Sequence, residues 1–158
     1  MSRKKIITKL NVPERYPLSH QSKKANHPQQ VFDQTLASAP SITAETPLRH
    51  ARSLQDEQRL IEHLKYHQRI HATIDLHHYS EEAAQYALMQ TCNQLWHSNA
   101  QSVLIIHGKC CETLYPPLKN MVYRWVLAQS YIAAFGSMPK NSGGLGATCA
   151  LFIVGDKI

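Results

Sequence analysis

Long apolar runs are missing from this chain. The longest, roughly Ala147 to Val154, falls far short of the about 20 residues that a membrane-crossing helix needs. The basic start Met1-Ser2-Arg3-Lys4-Lys5 is not followed by an apolar signal core, so a cytoplasmic protein with no membrane association is expected. Paired cysteine motifs are missing too. Cys92, Cys110, Cys111 and Cys149 form no CxxC pair, and neighbours in sequence cannot bridge without distorting the backbone. Reduced thiols are the expectation, with a catalytic thiol at Cys110 or Cys111 the minor reading. There is no internal repeat.

Acidic residues are scarce in the first third. Residues 1–52 hold nine Lys and Arg against three acids, whereas residues 53–158 hold eight of each sign, so the whole net charge of +6 lies in the tail. Five of the eight prolines are there as well, among Ser, Gln, Asn and Lys with no persistent apolar period. Such a stretch reads as a largely disordered basic extension. Its charge would add salt-sensitive attraction to nucleic acid or to an RNA-rich particle such as the ribosome, or would simply keep it soluble. Val31-Phe32 with Leu36 is a short patch that could dock on a partner or on the domain.

What is present is a regular alternation of helices and strands. Ser53, with Asp56 three residues on, resembles a capping box, and Leu54, Leu60, Ile61 and Leu64 recur at helical spacing to about residue 68. Ile70, Ala72, Ile74 and Leu76 alternate with polar residues as in a half-buried strand. Ser80 caps a second helix with Glu81 and Glu82 in its first turn. Val103-Leu104-Ile105-Ile106 has the continuous apolar character of a strand buried on both faces. Pro116 and Pro117 suit the start of a third helix. Leu118, Met121, Val122, Trp125 and Val126 form its apolar stripe, with Lys119 and Arg124 read as surface charges away from it and Trp96 and Trp125 as core or rim packing. Strands near Tyr131–Phe135 and Ala147–Val154 follow. The chain is thus expected to be an α/β protein: a two-layer β-α-β-α-β-β sandwich on a mixed four-stranded sheet from residue 70 to 158. A helix at 53–69 precedes it and covers part of the open sheet face. The first two strands are parallel by the right-handed crossover rule, and the last two antiparallel.

The chemistry gathers at strand ends. If the first two strands are parallel, His77 and His107 end neighbouring strands and flank one crevice. Asp75 and His77, at i and i+2, share one strand face, where a carboxylate can orient the imidazole and fix its tautomer. Ten histidines in the chain make any single one a weak signal; the convergence with Asp75 carries the reading. Two imidazoles across a phosphodiester can divide base and acid roles, and Lys109 can neutralise a non-bridging oxygen. Gly143, Gly144 and Gly146 permit close approach to a phosphate, or form a plain hairpin turn, and Lys140 precedes them. No cofactor is required, and the metal reading is open. Asp75 with His77 and a distant His is compatible with an ion, and Mg²⁺ or Mn²⁺ could bridge substrate to Asp75, yet no clear third ligand stands out.

At these residues the chain resembles the Smr (small MutS-related) domain family. Ile74-Asp75-Leu76-His77 matches its LDxH motif, His107-Gly108-Lys109-Cys110 its HGxG loop, and Gly143 through Thr148 its GGxGAT-like loop. The resemblance implies an endonuclease that nicks DNA or cleaves RNA, of the bacterial stand-alone kind with an N-terminal extension, some of which associate with ribosomes. It carries over Asp75, His77 and His107 as catalytic residues and Gly108, Lys109, Gly143, Gly144 and Gly146 as nucleic-acid-binding ones. The rival implication is a binding module or ribosome-associated adaptor without chemistry. Two departures stand out: Cys110 takes the place of the second glycine of HGxG, and His78 that of the glycine usual after LDxH.

Overall fold

The computed structural model describes residues 40–66, 70–109 and 113–154. The expected tail to residue 39 with its Val31-Phe32 patch, the end of the first helix at 67–69, Cys110 and Cys111 lie outside the described residues. In chain order the elements are strand β1 (Arg49–Ala51), helix α1 (Leu54–Tyr66), β2 (Ala72–Asp75), α2 (Glu81–His97), β3 (Ser102–Ile106), α3 (Pro117–Ala128), β4 (Ile132–Ser137) and β5 (Ala147–Phe152). Among the described residues no helix is long and apolar enough to cross a membrane.

The strands form one mixed sheet in the order β1-β4-β5-β3-β2. β2 runs parallel to β3, with Asp75 opposite Ile106; β5 lies antiparallel to both β3 and β4. The apolar run of β3 is therefore paired along both edges, as its composition requires. Ser80 caps α2 by accepting from Ala83 N, and Ser53 caps α1 by accepting from Asp56 N at 3.1 Å while donating to the Asp56 carboxylate. α2 and α3 bury Ala84, Leu88, Met121, Val122 and Trp125 on one sheet face, against Ile74, Leu76, Val103, Ile105 and Phe135. α1 covers the opposite face with Leu60 and Leu64, packed on Ala134, Met138, Cys149 and Leu151. That is the expected cover, and it turns the two-layer sandwich into three layers over part of the sheet.

Two expectations change. The sheet has five strands rather than four, because Arg49–Ala51 pairs antiparallel with β4. The end of the tail is also folded: Ile42 and Leu48 enter the core, so residues 40–52 form a strap rather than a disordered run. α3 holds the strap with two polar residues, of which Lys119 reads from sequence as outside its apolar stripe. Lys119, only 2% exposed, donates from Nζ to the carbonyls of Thr43 (3.1 Å), Ala44 (2.9 Å) and Thr46 (2.5 Å). Asn120 accepts from Ile42 N and donates to Ile42 O, both at 2.8 Å. Desolvation pushes the Lys119 ammonium below the usual lysine range, opposed by nearby Glu45. Lys119 is thus a structural clasp and not the surface charge expected from its position.

Candidate nucleic-acid site

The alternation of β2 decides what its end presents. Ala72, Ile74 and Leu76 are buried, which sends Asp75 and His77 to the other face, each side chain about half exposed (48% and 49%). Asp75 Oδ1 contacts His77 Nδ1 and accepts from His77 N at 3.1 Å. A carboxylate on Nδ1 favours the Nδ1–H tautomer and leaves Nε2 with its lone pair toward solvent, the arrangement of an oriented general base.

Parallel pairing of β2 and β3 brings the next motif alongside. Leu76 N donates to Ile106 O at 2.7 Å, and a Cβ on Gly108 would lie 3.6 Å from that of His77. The backbones of His107 and Gly108 both donate to Gly146 O, at 3.1 and 2.9 Å. The three motifs therefore meet at one end of the sheet, as the sequence predicts.

The imidazole of His107 does not meet that of His77. By strand parity His107 follows Val103 and Ile105, so its ring enters the face covered by α2 and α3. It is 5% exposed, with Nδ1–H donating to Gly108 O at 3.3 Å and Nε2 accepting a hydrogen bond from the Thr148 hydroxyl at 2.9 Å. Burial lowers its pKa to about 4, against a weaker opposing effect of the Gly108 hydrogen bond; the Lys119 charge adds to the lowering. The expectation of two imidazoles facing one cleft is corrected here, and parity with Ile105 was the signal for it. A stability effect follows. The unfolded chain protonates His107 near pH 6.5 while the folded one resists until about 4, so its contribution is complete above pH 6.5 and is lost as pH falls toward 4. In urea unfolding, the loss between pH 7 and pH 4.5 should be about 2–3 kcal/mol smaller for His107→Gln than for the parent. Equal losses would place the buried ring elsewhere.

The glycine loop acts as a seat for Lys109. It consists of two 3-10 turns, Lys140–Ser142 and Gly144–Gly146, joined at Gly143 with φ 117°, a conformation that side chains rarely adopt. Gly144 N donates to Pro139 O and Gly146 N to Gly143 O, so those two N–H groups serve the loop itself rather than a phosphate. Lys109 Nζ lies 3.3 Å from where a Gly144 Cβ would stand, and a Gly146 Cβ would meet Lys109 Cγ at 2.9 Å and the Gly108 carbonyl carbon at 3.1 Å. Gly146→Ala accordingly displaces backbone at the site. It should cost about 1–3 kcal/mol in chemical denaturation, and an unchanged midpoint would show that the loop gives way freely. Lys140 is exposed at the start of the first turn.

His78 is exposed and left-handed, with φ 69°, a conformation costing an ordinary side chain about 1–2 kcal/mol. The substitution for glycine thus falls at a position that asks for glycine. Among the described residues no group of three or more His, Cys, Asp or Glu is placed to hold a metal ion. Cys92 and Cys149 are buried free thiols, and desolvation holds both above the usual thiol range.

Comparison with known proteins agrees with this layout. The Smr domain model matches residues 74–152, a span that takes in all three motifs. A stand-alone small MutS-related protein from Escherichia coli, YdaL, superposes with a TM-score of 0.61 over 72% of this chain and 88% of its own, at 22% identity. The Smr domain of Thermus thermophilus MutS2 gives a TM-score of 0.47 over 52% of this chain and 98% of its own, at 17% identity. No curated protein matches the chain. With the motifs in order on this sheet and the family model spanning them, the chain belongs to the Smr domain family.

Proposed function

We propose that the protein is an endonuclease cleaving phosphodiester bonds of RNA or of structured DNA. The observation that carries this reading is the half-exposed Asp75–His77 pair at the end of β2, placed beside the Gly108–Lys109 turn. Asp75 orients His77, and His77 Nε2 takes the proton of the attacking oxygen. Lys109, seated on the glycine loop, meets a non-bridging phosphate oxygen, with Lys140 contacting the strand further along. His107 serves the site from behind, by locking the His107-Gly108 turn through Thr148 rather than by proton transfer. For RNA the nucleophile is the substrate's own 2′-hydroxyl; for DNA it is water, which a divalent cation would activate. The basic segment before residue 40 adds salt-dependent attraction to a polyanion, of which the ribosome is one candidate in the cytoplasm.

The test is an incubation of the full chain with end-labelled RNA and DNA, with and without EDTA, beside His77→Ala. Cleavage by the parent and not by the variant supports the reading. Tight binding without cleavage by either protein would favour a module that only holds nucleic acid.

A further inference from the structure

We infer that His78, not His107, is the second imidazole facing the phosphate, and that it protonates the leaving oxygen; this rests on the endonuclease reading. Residues 76–79 form a tight turn closed by Tyr79 N donating to Leu76 O at 3.1 Å. The positive φ falls at its third residue, His78, and not at His77, which is the pattern of a type II turn, where glycine is favoured. A histidine in that position accepts backbone strain, and what it supplies in return is a ring on the tip that carries the candidate base. The two ring centroids are 4.4 Å apart with planes inclined at 55°, and both residues are exposed. One phosphodiester can therefore touch both rings. The other candidate for the acid, His107, lies on the opposite face with both ring nitrogens engaged.

The step balances without a further reactant. His77 Nε2 accepts the proton of the attacking hydroxyl or water as the new O–P bond forms. The P–O5′ bond then breaks, and the leaving oxygen takes a proton from the His78 imidazolium. His77 ends protonated and His78 neutral, and exchange with solvent restores the pair.

Because the turn prefers glycine, His78→Gly removes the ring without disturbing the fold, and His78→Asn keeps a residue that tolerates the left-handed conformation. Both should lower kcat on a natural linkage about 100-fold with KM within about threefold. On a p-nitrophenyl phosphodiester, whose leaving group needs no proton, the loss should shrink to under about threefold. A His78→Gly kcat within twofold of the parent on the natural linkage, or equal losses on both substrates, would overturn the assignment. A second measurement separates this proposal from the reading it rests on. In a titration of the full chain with inorganic phosphate, the ring-proton NMR signals of His77 and His78 should move along one isotherm while those of His107 stay fixed. If His77 moves and His78 does not, the role of His78 is refuted and the site stands. If the parent cleaves nothing, the endonuclease reading falls with the acid role, and joint movement of the two signals still upholds His78 as a phosphate contact.

Discussion

Alanine at residue 77 should lower the cleavage rate by about 10²–10⁴-fold, the range ordinarily contributed by a positioned base. The side chain is half exposed and its partner is Asp75, so the substitution removes chemistry without opening a cavity. Circular dichroism and the urea midpoint should stay close to those of the parent, within about 0.5 kcal/mol. Asp75→Asn probes the same pair from the other side. The amide keeps the shape but can present its NH₂ to Nδ1, which favours the wrong tautomer, and a loss on the order of 10²-fold is expected. Because the two residues act as one unit, the double variant should be little worse than His77→Ala alone. Multiplying losses, or cleavage surviving both substitutions, would remove the pair from the reaction.

The second large effect concerns stability and lies on the far face of the sheet. Lys119→Met keeps the apolar stem and deletes an ammonium that satisfies three carbonyls of the strap. Hydrogen bonds from a charged donor contribute about 1.5–3 kcal/mol each. The strap can lift and rehydrate, so its own release free energy caps the loss. The expected cost is about 2–4 kcal/mol. The same variant should expose Arg49 and Arg52 to trypsin before the rest of the domain unfolds, since local opening precedes global opening where few contacts hold a segment. A change under about 0.5 kcal/mol with unaltered proteolysis would show that Asn120 and the buried Ile42 and Leu48 hold the strap by themselves.

The contrast between these two regions explains what the sequence disclosed. Elements with a strong period were legible: β3 from its unbroken apolar run, α2 from Ser80 and its stripe, α1 from Ser53, and the parallel pairing of β2 with β3 from the crossover rule. The meeting of three motifs at one end followed from that topology. β1 was not legible, because Arg49-His50-Ala51 has no apolar alternation and becomes a strand only by borrowing the free edge of β4. The strap was hidden for a similar reason, its Ile42 and Leu48 being isolated among Pro, Ser and Thr and its clasp being a lysine 70 or more residues away. His107 was misread because position at a strand end was weighed and parity was not. Counting by twos from Ile105 sends it inward, just as counting from Ile74 sends Asp75 and His77 outward. His78 could not be found by either count, since its orientation depends on a turn whose third residue has an uncommon backbone angle.

β2 is one of the two border strands of the described sheet, and the Asp75–His77 pair sits at its tip. A reactive group on a rim, unlike one at the bottom of a blind hole, meets a long polymer broadside and has no use for a free terminus. A substrate circularised by ligation should accordingly be opened as readily as its linear form.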